Sequence, residues 1–180
     1  EIAMAVMEAK KKKLNKIELL KNLAKIEGVY VPSFFDINYN DDGTVKKITP
    51  LVDGYTSVRR RVAPDIEKLK VPLKPIVPFT ETIHDRVSVE VARGCTRGCR
   101  FCQAGMVYRP VRERSPEKVE ACLKEALKNT GYDEASLLSL STGDYTMIEG
   151  LLALLMKDFH REQIAVSLPS LRVGTLSSTL

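Results

Sequence analysis

From Arg86 onward the chain alternates two periodicities, and that alternation restricts it to a small set of folds. Val87, Val89 and Val91 recur every second residue, the spacing of a strand with one buried face. Ser115-Pro116-Glu117 then reads as an N-cap, a first helical position and an acid near the positive end of a helix. Val119, Cys122, Leu123, Ala126 and Leu127 form one apolar helical stripe, closed by Gly131. Residues 135–140 read as a second strand, Ser141-Thr142-Gly143-Asp144 as a turn, and 146–160 as a leucine-rich helix. Residues 164–168 read as a third strand, ended by Pro169. Strand, helix, strand, helix, strand predicts parallel βα units. Right-handed crossovers bring the three strand C-termini to one face, where α/β barrels carry their chemistry. A whole barrel takes about 250 residues. The expected architecture is therefore α/β, an incomplete parallel (β/α) barrel over residues 86–180 that forms the amino-terminal part of a truncated core.

Residues 1–85 differ in character. Residues 1–27 read as two helical pieces. The second is capped by Asn15, carries Ile17, Leu20, Leu23 and Ala24 on one stripe, and stops at Gly28. The lysine block at 10–13 reads as a solvated helix face. Residues 29–31, 34–39 and 45–48 are strand-like, with Asp42-Gly43 where a tight hairpin turn would sit. Pro64, Pro72, Pro75 and Pro78 mark a connecting segment. The expectation for 1–85 is a helical and β-hairpin linker. Because the first residue is Glu1 and not Met, the expected start lies upstream.

The 180 residues are 44% hydrophobic and 28% charged, the balance of a globular chain. No apolar run approaches the ~20 residues that span a membrane. The short apolar stretch at 2–7 is followed by lysines, the reverse of secretory order. A cytoplasmic, reducing location and no membrane partner are expected. In that setting four cysteines, three of them crowded, point to metal or redox chemistry over disulfides. Arg93, Arg97, Arg100, Arg109, Arg112 and Arg114 face one acid, Glu113, in the same stretch. An anionic group fits there: a cofactor carboxylate, a phosphate or a nucleic acid. The plainer alternatives are a solvated loop, or pairing of Arg109, Arg112, Arg114 and Arg172 with Glu90, Glu113 or Asp144.

The crowded cysteines Cys95, Cys99 and Cys102 make the pattern C-x3-C-x2-C. Three thiolates on a short loop can wrap one face of an iron–sulfur cube. Ordinary 4Fe–4S centres use four cysteines, so three leave one iron open to chelate another molecule. Gly94 and Gly98 let the backbone turn tightly between them. Zinc is the main alternative, but a structural zinc site takes four ligands. Cys122 lies on an apolar helical stripe and reads as a core residue. His84 and His160 have no partner at zinc spacing and read as surface or capping residues.

The triad, with aromatic Phe101 before its last cysteine and placed after a first strand, resembles the radical S-adenosylmethionine (SAM) superfamily. The resemblance implies that Cys95, Cys99 and Cys102 ligate a 4Fe–4S cluster whose fourth iron binds SAM. Reductive cleavage of SAM would release a 5′-deoxyadenosyl radical for hydrogen abstraction or radical methylation of a substrate. It further implies that Phe101 lies near the adenine. Thr142-Gly143-Asp144 stands where the family has Gly-Gly-Glu, a SAM-binding turn, and Ser167 is a further SAM contact from a later strand. Electron supply by a flavodoxin or ferredoxin is implied as well.

Arg109 with residues 112–117 resembles the basic stretch before the first barrel helix in radical SAM methylthiotransferases and related proteins, while Gly28-Val29-Tyr30-Val31-Pro32 and residues 167–172 resemble radical SAM proteins with a cobalamin-binding domain. On that likeness residues 1–85 are the tail of an upstream cobalamin-binding-like domain or its linker, and cobalamin would serve the full-length protein. The substrate, RNA or protein among the options, is not readable. Two alternatives stay open. One is a methylthiotransferase acting on tRNA or a ribosomal protein, although residues 1–94 lack the further cysteines of that class. The other is a non-catalytic metal-binding module.

Overall fold

The structure is a computed structural model that describes residues 1–175. It divides into two units, Glu1–Ala63 and Pro64–Leu180.

In the first unit, helices α1 (Ile2–Lys11) and α2 (Lys16–Ala24) pack on each other. Asn15 starts α2 through a reciprocal capping box. Its Oδ1 accepts from the Glu18 amide at 2.9 Å, and its own amide donates to Glu18 Oε2 at 2.9 Å. The helix ends at Ala24, before the expected stop at Gly28, and Ile17 is exposed while Leu20, Leu23 and Ala24 are half-buried. Strands β1 (Phe35–Tyr39) and β2 (Val45–Pro50) form the expected hairpin, with Ile37 opposite Ile48. Gly43 takes φ +80° in its turn, which a side-chain-bearing residue would resist. Residues 29–31 are not a strand. The Tyr55 hydroxyl donates to Val29 O at 2.6 Å and accepts from the Val31 amide at 3.1 Å. One side chain thus occupies the backbone groups that a partner strand would have paired.

The second unit is built on a parallel sheet of β3 (Val87–Glu90), β6 (Glu134–Leu138) and β7 (Ala165–Ser167), in that spatial order. Between β3 and β6 lie β4 (Ala92–Arg93), α3 (Ala104–Val107), β5 (Arg112–Glu113) and α4 (Pro116–Thr130). Helix α5 (Ile148–Glu162) joins β6 to β7. Strand order follows chain order, and α4 and α5 pack on each other, so both crossovers run in one sense. The parallel α/β expectation is met by these elements.

Sequence chemistry explains the helices. The Ser115 side chain caps α4 by accepting from the Lys118 amide, Pro116 occupies its first turn, and Gly131 ends it at φ +75°. All five residues of its apolar stripe are buried, Cys122 among them. They face Val89, Val91, Leu137, Leu151, Leu155 and Phe159, which have no exposed surface. Burial of each such side chain stabilises by roughly 1.5–3 kcal/mol. Leu138 and Leu140, by contrast, stay about half exposed.

The proline-marked connector is not a passive link. Ile66 is only 1% exposed, and Val71 and Leu73 pack against the core. Glu67 accepts from the Ser115 amide at 3.0 Å and the Ser115 hydroxyl at 2.6 Å. A carboxylate therefore sits at the positive end of α4. Asn129 Nδ2 donates to Leu73 O at 2.8 Å, near the far end of the same helix. The second unit accordingly begins well ahead of Arg86. Among the described residues no helix is long and apolar enough to cross a membrane.

Candidate functional site

The carboxyl ends of β3, β6 and β7 carry the three segments singled out by the sequence. After β3 the chain makes an excursion over residues 94–111, closed at its base by the short antiparallel pair of β4 and β5. Ala92 faces Glu113 and Arg93 faces Arg112 across that pair. Gly94 opens the excursion at φ +97°. A Cβ there would lie 2.6 Å from both Tyr108 O and Pro110 O, so the loop closes only over glycine. Gly105 is equally confined, since a Cβ would meet Arg97 O at 1.9 Å.

Cys95, Cys99 and Cys102 all lie on this excursion as free, half-buried thiols. The Cys95 amide donates to Tyr108 O at 2.9 Å, and the Cys102 amide donates to Cys99 O at 3.0 Å. The Arg97 amide donates to Cys95 Sγ at 3.4 Å. Among the described residues no three metal-ligating side chains are gathered into a ready-made metal site. The donor set nevertheless fits an iron–sulfur cluster in its chemistry: three unpaired thiols, partly accessible, on one short loop. The fourth cysteine, Cys122, is buried in α4 and takes no part. Neither His84 nor His160 joins the loop. His84 Nδ1 lies 2.7 Å from Arg86 Nη2, and His160 sits exposed in the last turn of α5.

The turn after β6 is the second component. Thr142–Asp144 forms one turn of 3₁₀ helix. Thr142 is fully buried, its hydroxyl within reach of Leu137 O at 3.3 Å and Ser139 Oγ at 3.0 Å. Its amide donates to Ser170 O at 3.3 Å, tying this turn to the loop after β7. Asp144 accepts from Arg97 Nε and Nη2 at 3.0 and 2.7 Å, and from Ser141 Oγ at 2.8 Å. Arg172 Nε and Nη2 approach the same carboxylate at 3.4 Å each. The Arg97 hydrogen bonds, aided by Arg172 and Ser141 against the opposing effect of burial, hold the Asp144 carboxyl far below the usual carboxylate range.

A cavity of about 250 Å³ opens between these loops, bordered by Cys95, Arg97, Glu113, Ser141 and Asp144, with Tyr145 at its edge. Burial first, then Glu113, Glu117 and Glu67, push the Tyr145 phenol up to about 12, so it stays neutral and donates to Arg114 O at 2.8 Å. Glu113 accepts from the Thr146 amide at 2.9 Å. A second and more apolar cavity of about 420 Å³ lies against Gly94, Tyr108, Leu138 and Leu140.

The expected site residues divide accordingly. Cys95 and Asp144 line one cavity, linked through Arg97. Gly143 is packed close under the loop after β7, where a Cβ would lie 2.4 Å from Thr175 Oγ1. Phe101 stands on the loop surface, 94% exposed. Ser167 is half-buried, and its hydroxyl accepts from Arg86 at 3.4 Å. The arginines do not act as one group. Arg93 pairs with Glu90, and Arg97 and Arg172 with Asp144. Arg114 is only 2% exposed and donates to Glu90 O at 2.9 Å and Leu69 O at 3.4 Å. Arg97 was legible only as one charge among six; its position between Cys95 and Cys99 was the available signal.

Part of the chain is 34% identical, over 92 residues, to an uncharacterized protein of Methanocaldococcus jannaschii. That stretch is 51% of this chain and 20% of the relative, so the chain spans about a fifth of the relative's length. No solved structure matches the chain. Residues 89–174, which hold the cysteine loop and the strand ends around it, match the sequence model of the Radical SAM superfamily, and this match supports that superfamily for the second unit.

Proposed function

We propose that the second unit is the cluster-bearing part of a radical SAM enzyme, with Cys95, Cys99 and Cys102 holding a 4Fe–4S cluster. The observation that carries the reading is three free thiols on one loop at the carboxyl ends of parallel strands, beside two cavities. When bound, the cluster supplies the electron that cleaves SAM. The chain's own residues do the rest. Gly94 and the β4–β5 pair shape the loop that presents the thiols. Buried Thr142 seats the turn beneath it. The apolar cavity beside Gly94 and Tyr108 offers a place from which water can be excluded. The three strands are the first of a parallel barrel in this reading.

The finer proposal is a radical SAM protein of the cobalamin-binding-domain group, acting by hydrogen abstraction or methyl transfer on an RNA or protein substrate. Cobalamin would be held outside these residues, a flavodoxin or ferredoxin would supply electrons, and the location is cytoplasmic. The cysteine triad and the Gly28–Pro32 connector support this reading. Anaerobic loading of the full-length protein with iron and sulfide tests the cluster reading, with Cys99→Ala as the comparison. About four irons per chain, an EPR signal that changes with SAM, and formation of 5′-deoxyadenosine are expected, and all three should be lost in the variant. Tight zinc binding with no response to SAM would leave a structural metal module instead.

A further inference from the structure

Asp144 stands where three loops meet, and its own chain supplies its partners. Arg97, in the cysteine loop, engages both carboxylate oxygens in a fork. Ser141 donates to Oδ2 from the same turn, and Arg172 reaches both oxygens from the loop after β7. We infer that Asp144 is a positioning residue for the cysteine loop, acting through Arg97, and not a direct contact for a bound cofactor. The inference rests on the reading of that loop as the cluster site.

A linked series of bonds supports it. Thr142 is anchored on β6 through Leu137 O and is fully buried. It fixes the one-turn helix that carries Asp144, whose side chain is only 16% exposed. The carboxylate then holds the Arg97 guanidinium by two parallel bonds, which set orientation as well as distance. Arg97 lies midway between Cys95 and Cys99, and its amide donates to Cys95 Sγ. Residues 96–98 and 100–101 are exposed, so this fork ties an otherwise exposed part of the loop to the turn after β6. The Arg97 side chain is itself 53% exposed, and ion pairs of that kind contribute little to global stability. Loss of the fork should therefore loosen the loop without unfolding the protein.

The test uses the full-length chain, iron-free and reduced under anaerobic conditions. Iodoacetamide alkylation of each loop thiol is timed by peptide mass spectrometry in the wild type, Asp144→Asn, Arg97→Gln and the exchanged pair Arg97→Asp with Asp144→Arg. Lys124→Met, which removes two ion pairs remote from the loop, is the control. Alkylation of Cys95 and Cys99 should rise several-fold in both single variants, with melting lowered only slightly, and fall back in the exchanged pair. After iron and sulfide loading, the EPR line shape of the reduced cluster should broaden in both single variants. Unchanged thiol reactivity in Asp144→Asn and Arg97→Gln overturns the inference. So does loss of SAM binding in Asp144→Asn with normal binding in Arg97→Gln, because Asp144 would then act directly. Should Asp144→Asn not fold, Arg97→Gln decides, its side chain being half exposed. Failure of the wild type to load iron defeats the cluster reading, while the alkylation rates still judge the positioning role.

Discussion

On the helix side of the parallel sheet, Leu151, Leu155 and Phe159 expose nothing and are held by apolar packing. At the carboxyl ends of the same strands, Thr96, Arg97, Gly98, Arg100 and Phe101 are exposed, and position is set by directed bonds: Arg97 to Asp144, Cys95 to Tyr108, Thr142 to Ser170. Apolar area resists unfolding but is indifferent to direction. Hydrogen bonds and ion pairs add little net stability, yet they specify where an atom lies. The molecule thus separates what keeps it folded from what places its thiols.

Substitutions on the two sides should diverge. The largest effect is expected for Phe159→Ala, at about 3–5 kcal/mol of lost stability. Urea unfolding of the full-length protein measures it; a loss below ~1 kcal/mol would break the contrast. Gly94→Ala comes next, at roughly 1–3 kcal/mol for a strained backbone position. Because the added carbon would strike Tyr108 O and Pro110 O, iron capture should fall more sharply than melting temperature. Equal iron capture in this variant and the wild type would show that the loop's path is not set at Gly94.

The smallest effect concerns pH. The folded Asp144 carboxyl ionises below its unfolded counterpart near 3.9. Its contribution is therefore complete above about pH 5 and drains away as acid carries the protein toward the depressed folded value. Arg97 and Arg172 are 53% and 40% exposed, so solvent screening holds the amount to about 1 kcal/mol or less. Melting of the wild type and Asp144→Asn should differ by a constant amount from pH 7 to 5 and converge below pH 4. A gap that widens in acid would contradict the sign.

The sequence revealed the parts with a period or a cap. The stripe from Val119 to Leu127, the Ser115 cap, the Gly131 stop and the Asp42-Gly43 turn were all visible, because each is decided within a few residues. The β4–β5 pair was not, since two-residue strands have no alternation to read. Residues 29–31 misled because a tyrosine more than twenty positions away satisfies their backbone. At the site, the three cysteines announced themselves by spacing. The link from Arg97 to Asp144 did not, because it joins residues 47 positions apart and exists only once the strands are aligned.

The connector that carries Glu67 has a consequence for inheritance. It precedes the first parallel strand, yet it caps the first crossover helix and receives the buried Arg114. A recombination seam cut at Arg86 would leave that arginine short of an acceptor and Ser115 without its carboxylate. The division between the two units falls at Ala63–Pro64, so a cut there would keep the stretch around Ile66 and Glu67 with the sheet it braces.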